Sequence, residues 1–392
     1  MSKMFDKFII LLFYCSIIIL FYYNGLSQSN TLQEVFQAPM LVLLLPFVVS
    51  ALQILRIFSM GKPFLSPLAK SWIYIFVYYL FAFIIGAAQG TTHYNYNTIW
   101  LVVCPPITWM YFSTVINKNN EVLTFLQKWS FWMFLIFSVI SLYFIPRSLR
   151  DNGLFSSLNT GYYVILSYPL VMLDNARWKK IVATVLLIII VFLSLKRGGI
   201  VAIVLGYSLY FLLSSNKHLV RKLVVAGVSV TLLIYALPKI NEYTNGTLMV
   251  RYEFTQNQGD EEGRTSMYPI VWRSVWDSSP AEILVGHGHN GVVNDNVLQG
   301  LSAHNDYLEF LYDYGVFGLI LLLVYQVRLF RITIRSHKTK ECFLSTILAL
   351  TSIVVLSMVS IIFSYYYFLL IIPFWCVINN RLKRINNLKK WK

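Results

Sequence analysis

One stretch decides the architecture: IVATVLLIIIVFLSL (residues 181–195), KRGG (196–199), IVAIVLGYSLYFLL (200–213). Two uncharged runs flank four residues, two of them basic. Each run comes close to the roughly 20 apolar residues that a helix needs to cross a bilayer core. Four residues leave no room for a hydrated loop, so Lys196 and Arg197 belong at or just below a membrane surface. An arginine at bilayer depth costs on the order of 3 kcal/mol on insertion scales and normally has an anionic partner. Gly198 and Gly199 allow a backbone or a ligand to come close, and they leave amide groups free at the start of the next helix. Two readings stand for this junction: an interfacial anchor paired with a loop acid, or an anion site.

The rest of the 392-residue chain repeats the pattern. Apolar residues make up 57% of it, against roughly 45–50% in a soluble protein, and charged residues only 12%. With a mean hydropathy of +0.62, too few charges are present to wet a soluble surface. A soluble enzyme, a secreted domain and a disordered chain are excluded. Twelve apolar runs read as spans: Phe8–Tyr23, Pro39–Leu55, Trp72–Ala88, Thr98–Ile116, Trp129–Ile145, Gly161–Leu173, Ile181–Leu195, Gly199–Leu213, Leu223–Leu237, Tyr307–Tyr325, Phe343–Ser360 and Phe363–Val377. The first lacks a small-residue cleavage site, and Phe21–Tyr23 flanks it as an interfacial anchor, so it reads as a span and not a signal peptide. The expectation is an all-α, polytopic transmembrane helical bundle of about 12 spans. Nine spans fill residues 1–237, a large outer loop runs over 238–303, and residues 304–392 hold three more spans and a basic tail.

Charge sets the orientation. With both termini cytoplasmic, the inner segments carry 24 Lys/Arg and 4 acids, and the outer ones 8 Lys/Arg and 13 acids. Cytoplasmic loops are enriched in Lys and Arg, so this orientation accounts for the net charge of +15 without any nucleic acid. The four cysteines form no CxxC pair and suggest neither a disulfide framework nor a zinc site.

Candidate chemistry collects in and beside the large loop, which is long enough to be functional or disordered. Six aromatics between Tyr243 and Trp276 favour order. Met267, Val271 and Val275 recur at i+4, and Trp272 and Trp276 form another such pair. This predicts a short amphipathic helix on the membrane surface with its tryptophans at headgroup depth. Arg264, just before that segment, is a second candidate for anion binding, with Arg251 and Arg273 behind it. Asp260-Glu261-Glu262 reads as a solvated patch or a contact for sugar hydroxyls.

Gly286-His287-Gly288-His289-Asn290-Gly291 reads as a glycine-rich turn in preference to a metal site, because no third ligand has defined spacing. His304 is different. It lies at the mouth of the tenth run, where Ser302 can cap the helix and the positive end of the dipole disfavours imidazolium. A neutral imidazole is the form a general base needs. Asn305 and Glu309 are i, i+4 on the same helix, where Glu309 can orient a neighbouring group or an acceptor sugar. Gly315 and Gly318 have the small-xxx-small spacing of packed spans.

Three features together resemble the bacterial O-antigen polymerases and O-antigen ligases. They are Lys196-Arg197-Gly198-Gly199 at a span end, Arg264 in the large loop, and Gly286-x-Gly288 followed by His304-Asn305-x-x-Leu308-Glu309 and Gly315-x-x-Gly318. The resemblance covers about a third of the chain. It implies a metal-independent glycosyltransferase of the GT-C kind, without cofactor, in the bacterial inner membrane, with its active site periplasmic. Its donor and acceptor would be undecaprenyl-diphosphate-linked glycans, with membrane lipids around it and a chain-length regulator and a flippase as partners. Carried over, Arg197 and Arg264 would bind the diphosphate, with Lys196 assisting at a position where the family often has Ser or Thr. His304 would act on the acceptor hydroxyl. Within that resemblance, the compact chain, the tyrosine-rich spans and the Lys196-Arg197-Gly198-Gly199 variant look more like the polymerases than the ligases. A transporter or flippase is the reading from another class, and Pro105-Pro106, as a break in the fourth run, is its best support.

Overall fold

A computed structural model describes residues 2–27, 40–88, 96–152, 160–194, 197–214, 264–337, 339–360, 362–363 and 366–390. Among these residues there are helices and turns and no strand. Helices α1 (Ser2–Ser27), α2 (Met40–Ser59), α3 (Pro67–Ala88), α4 (Tyr96–Lys118) and α5 (Asn120–Asn152) come first. Then come α6 (Thr160–Val171), α7 (Arg177–Leu193) and α8 (Arg197–Leu213). The ninth apolar run, Leu223–Leu237, lies outside the described residues. Beyond it are α9 (Arg264–Asp277), α10 (Pro280–Val285), α11 (Gly291–Asn294), α12 (Asp306–Ser336) and α13 (Lys340–Val359). A 3-10 turn (Tyr366–Leu370) leads into α14 (Ile371–Lys390).

Helix ends that the charge count assigns to one face meet each other. Arg56, near the end of α2, grips the Asp6 carboxylate of α1 through Nε (2.5 Å) and Nη2 (3.0 Å). Lys3 reaches Glu121 at the start of α5 (2.6 Å), and Lys118 at the end of α4 donates to the Met60 carbonyl (2.7 Å). Arg384 of α14 pairs with Asn120. On the other assigned face, Gly161 of α6 lies against Ser194 beyond α7, and Gly198 of α8 against Val359 of α13. Among the described residues, these helix ends therefore group as an alternating course of neighbouring helices would place them.

The number of spans is a different matter. Five described helices are long and apolar enough to cross a membrane, against the twelve runs expected. α6 shows one reason. Its 12 residues rise about 18 Å, well short of a bilayer core of about 30 Å. All of them are buried, because α6 is enclosed by α5, α7, α13 and α14. An all-round apolar helix is a sign of enclosure as much as of lipid. The last run is divided as well, between the 3-10 turn and the start of α14. α4 continues through Pro105-Pro106, so the break expected there is absent.

Aromatic side chains fill the centre. Trp72 lies 5.6 Å from Tyr325 and 5.0 Å from Phe368, ring centre to ring centre, and Trp109 and Trp375 are fully buried. Beside this core, α9–α11 build a smaller one on the first turns of α12. Val271, Val275, Val292, Leu298, Ala303, Leu311 and Tyr312 are buried together. Burying each such aliphatic side chain stabilises by about 1.5–3 kcal/mol, which orders the second half of the large loop.

α12 carries the decisive irregularity. It breaks at Gly315 (φ 64°, ψ −169°), a region of backbone space open essentially to glycine alone. Beyond the break, α12 continues for roughly 20 residues, the length a bilayer core takes. Asp306–Tyr314, before the break, forms a largely buried mouthpiece at the start of this long apolar helix.

Candidate active site

Breaking a helix leaves its last carbonyls without partners. Here the turn after α10 supplies them. His287 N–H donates to Tyr312 O (3.0 Å) and Gly288 N–H to Asp313 O (2.9 Å). Tyr78 on α3 donates its hydroxyl to Tyr314 O (2.9 Å) and to Val285 O (3.3 Å). Two glycines make this contact possible. A Cβ on Gly315 would stand 2.4 Å from Leu284 O, and one on Gly286 (φ 85°) 2.3 Å from Asp313 O. Of the Gly315/Gly318 pair, expected to serve packing between spans, Gly315 serves a break and a clasp instead, whereas Gly318 faces Tyr78 of α3, 3.3 Å from where its Cβ would stand. Gly318 gives room for displaced Tyr314, whose Cβ would lie 2.2 Å from a side chain there.

The glycine-rich turn is present as read, and its two histidines part company. The His287 ring stacks on Tyr312 (4.1 Å, 5°). Its Nε2 meets Ser278 Oγ (2.8 Å) and its Nδ1 meets Asp295 Oδ2 (3.1 Å). Ser278 Oγ donates to Ser274 O (2.6 Å), so the arrangement has the outline of a serine nucleophile but its hydroxyl proton is already committed. His289 is buried against the Tyr314 hydroxyl, and burial lowers its pKa to about 4. Among the described residues no group of three or more His, Cys, Asp or Glu could hold a metal ion.

Three acids, Asp306, Glu309 and Asp313, are buried along one face of the mouthpiece. Each is held by backbone amides. Asp306 accepts from Ile362 N–H (3.0 Å), Glu309 from Ala303 N–H (2.5 Å), and Asp313 from Asn290 (2.7 Å) and Val292 (3.2 Å). Glu309 thereby fixes the residue before His304. Asn305, and not Ser302, caps α12: its Oδ1 accepts from Tyr307 (3.0 Å) and Leu308 (3.2 Å) N–H. Its Nδ2 donates to Met358 O (3.2 Å) near the end of α13. One side chain thus satisfies the start of one helix and the end of another. His304, just before the cap, has a left-handed backbone (φ 50°), uncommon away from glycine.

The Met358 carbonyl is the point of convergence. Tyr268 of α9 also donates to it (3.1 Å), with His304 O at 3.5 Å as a second acceptor. Val359, the next residue, lies against Gly198, where a Cβ would clash at 2.3 Å. The first turn of α8, which Arg197 opens, Tyr268 of α9, one turn beyond Arg264, and His304 therefore meet at the end of α13. Arg273 is not part of this cluster; it is exposed on α9, about half a turn from Arg264 in register. Lys196 and Arg251 lie outside the described residues, as does Asp260-Glu261-Glu262. The amphipathic reading of α9 holds: Val271 and Val275 are buried, and Trp272 and Trp276 are exposed.

Tyr268 and the acids at 306 and 313 are missing from the sequence reading. Their signals were present: Tyr268 is i+4 from Arg264, and three acids at i, i+3 and i+7 open an apolar run. The Met358 carbonyl, a backbone group, has no signal in sequence.

A family model described as O-antigen ligase matches residues 182–323. That range takes in α8, α9, the glycine clasp and His304, and it is consistent with the O-antigen polymerase and ligase superfamily. No curated protein matches the chain.

Proposed function

Taking the O-antigen ligase-like segment as a premise, we propose that this chain is a polysaccharide polymerase, joining undecaprenyl-diphosphate-linked repeat units on the outer side of the inner membrane. The observation that carries the reading is the meeting of the turn that Arg197 opens, of Tyr268 one turn beyond Arg264, and of His304 at one helix end. The leaving group, a lipid diphosphate, departs with two or more negative charges. Guanidinium groups of Arg197 and Arg264 at that developing charge stabilise the transition state, and they match phosphate oxygens two at a time. His304 takes the proton of the acceptor hydroxyl as its oxygen bonds the anomeric carbon. The bond from that carbon to the diphosphate oxygen breaks, and the anomeric configuration inverts. Asn305 and Glu309 hold the backbone on either side of His304, so the base is fixed before substrate arrives.

Arg197→Ala, Arg264→Ala and His304→Ala are each expected to abolish chain elongation while the protein still reaches the membrane. A wild-type ladder of chain lengths from any of the three removes that residue from the mechanism. Arg197→Lys should also be impaired, since a point charge does not reproduce the planar fork. The description of the matching family favours ligase as the second reading. Lipopolysaccharide from a deletion strain separates the readings on a gel. Core carrying a single repeat indicates a polymerase, and bare core with polymer still on the lipid carrier indicates a ligase. Precursor trapped on the cytoplasmic side indicates a flippase.

A further inference from the structure

Tyr268 lies one helical turn after Arg264, and its hydroxyl spans the two backbone carbonyls at the centre of the cluster, Met358 O (3.1 Å) and His304 O (3.5 Å). We infer that the Tyr268 hydroxyl is a positioning group that fixes the first turn of α9 relative to His304. The inference rests on the catalytic reading above. The rest of α9 docks without this hydroxyl: Val271 and Val275 lie in the satellite core. Met358 O also keeps a donor when the hydroxyl is removed, because Asn305 Nδ2 bonds it at 3.2 Å. Loss of the hydroxyl therefore leaves the fold intact and frees only the turn that begins with Arg264. His304 has reason to need such support. Its left-handed backbone persists only where neighbouring contacts hold it, and here they come from Glu309 on one side and Tyr268 on the other.

The test is Tyr268→Phe, purified beside wild type and His304→Ala, and assayed on undecaprenyl-diphosphate-linked repeat units. Turnover is normalised to folded protein. The expected result is a kcat at least ten-fold lower, a donor KM within two-fold of wild type, and an unchanged folded fraction. An unchanged kcat overturns the inference, as does a fall in activity that only tracks lost folded protein. If His304→Ala is inactive while Tyr268→Phe is normal, this inference alone fails. If His304→Ala turns over like wild type, the catalytic reading fails and takes the inference with it.

Discussion

At the scale of single residues, the mouth of α12 is built by side chains that complete backbone hydrogen bonding. An asparagine suits position 305 because the site needs an acceptor for two amides and a donor for one carbonyl. Aspartate would supply only the first. His289 has a measurable consequence of its own. Burial lowers its pKa from 6.5 to about 4, so the folded protein holds it neutral. Between those values the unfolded chain takes up a proton that the folded state refuses. The contribution, roughly 3 kcal/mol, is full above pH 6.5 and is lost as the pH falls toward 4. Thermal unfolding in detergent across that range should show the loss, and His289→Gln, which stays neutral, should reduce it. An identical pH dependence in the variant would refute the assignment.

At the scale of elements, two interlocked glycines set the geometry on which the site depends. Alanine at Gly315 would need a backbone conformation closed to it and a Cβ 2.4 Å from Leu284 O. The conformational part alone costs about 1–3 kcal/mol. Gly61 is the control: its φ is +76° but nothing lies within 4 Å of a Cβ. Gly315→Ala should destabilise clearly more than Gly61→Ala, and proteolysis between α9 and α12 should quicken. Equal costs would mean that the clasp is not a close contact. Sequence reading put Gly286 in a glycine-rich turn but took the spacing of Gly315 and Gly318 for packing between spans, because spacing does not reveal φ. It located α9 from the i+4 aliphatic stripe, since that periodicity is imposed by burial of Val271 and Val275. It read α6 as a span because its residues are apolar on every side, and apolarity does not distinguish lipid from protein.

At the scale of the whole molecule, the basic helix ends and the candidate site stand at opposite ends of the same helices. On α12, Asn305 caps the mouth, and 23 residues further on Arg328 donates to Pro67 O (2.7 Å) and Ser71 Oγ (2.5 Å) at the start of α3. On α3, Tyr78 reaches back to the Gly315 break. With the basic ends cytoplasmic, as the charge distribution favours, the site would lie on the outer face, where the proposed reaction requires it. This separation can be tested with single cysteines. In a background where Cys15, Cys104, Cys342 and Cys376 are replaced by serine, Asp277→Cys reports the end of α9 and Lys62→Cys the loop between α2 and α3, both exposed. A membrane-impermeant maleimide should label Asp277→Cys in intact spheroplasts and Lys62→Cys only after permeabilisation. The reverse pattern inverts the orientation and removes the outer-face reaction. Labelling of both in intact cells would mean that the two ends are not separated by a bilayer, so the helices that join them would not be spans.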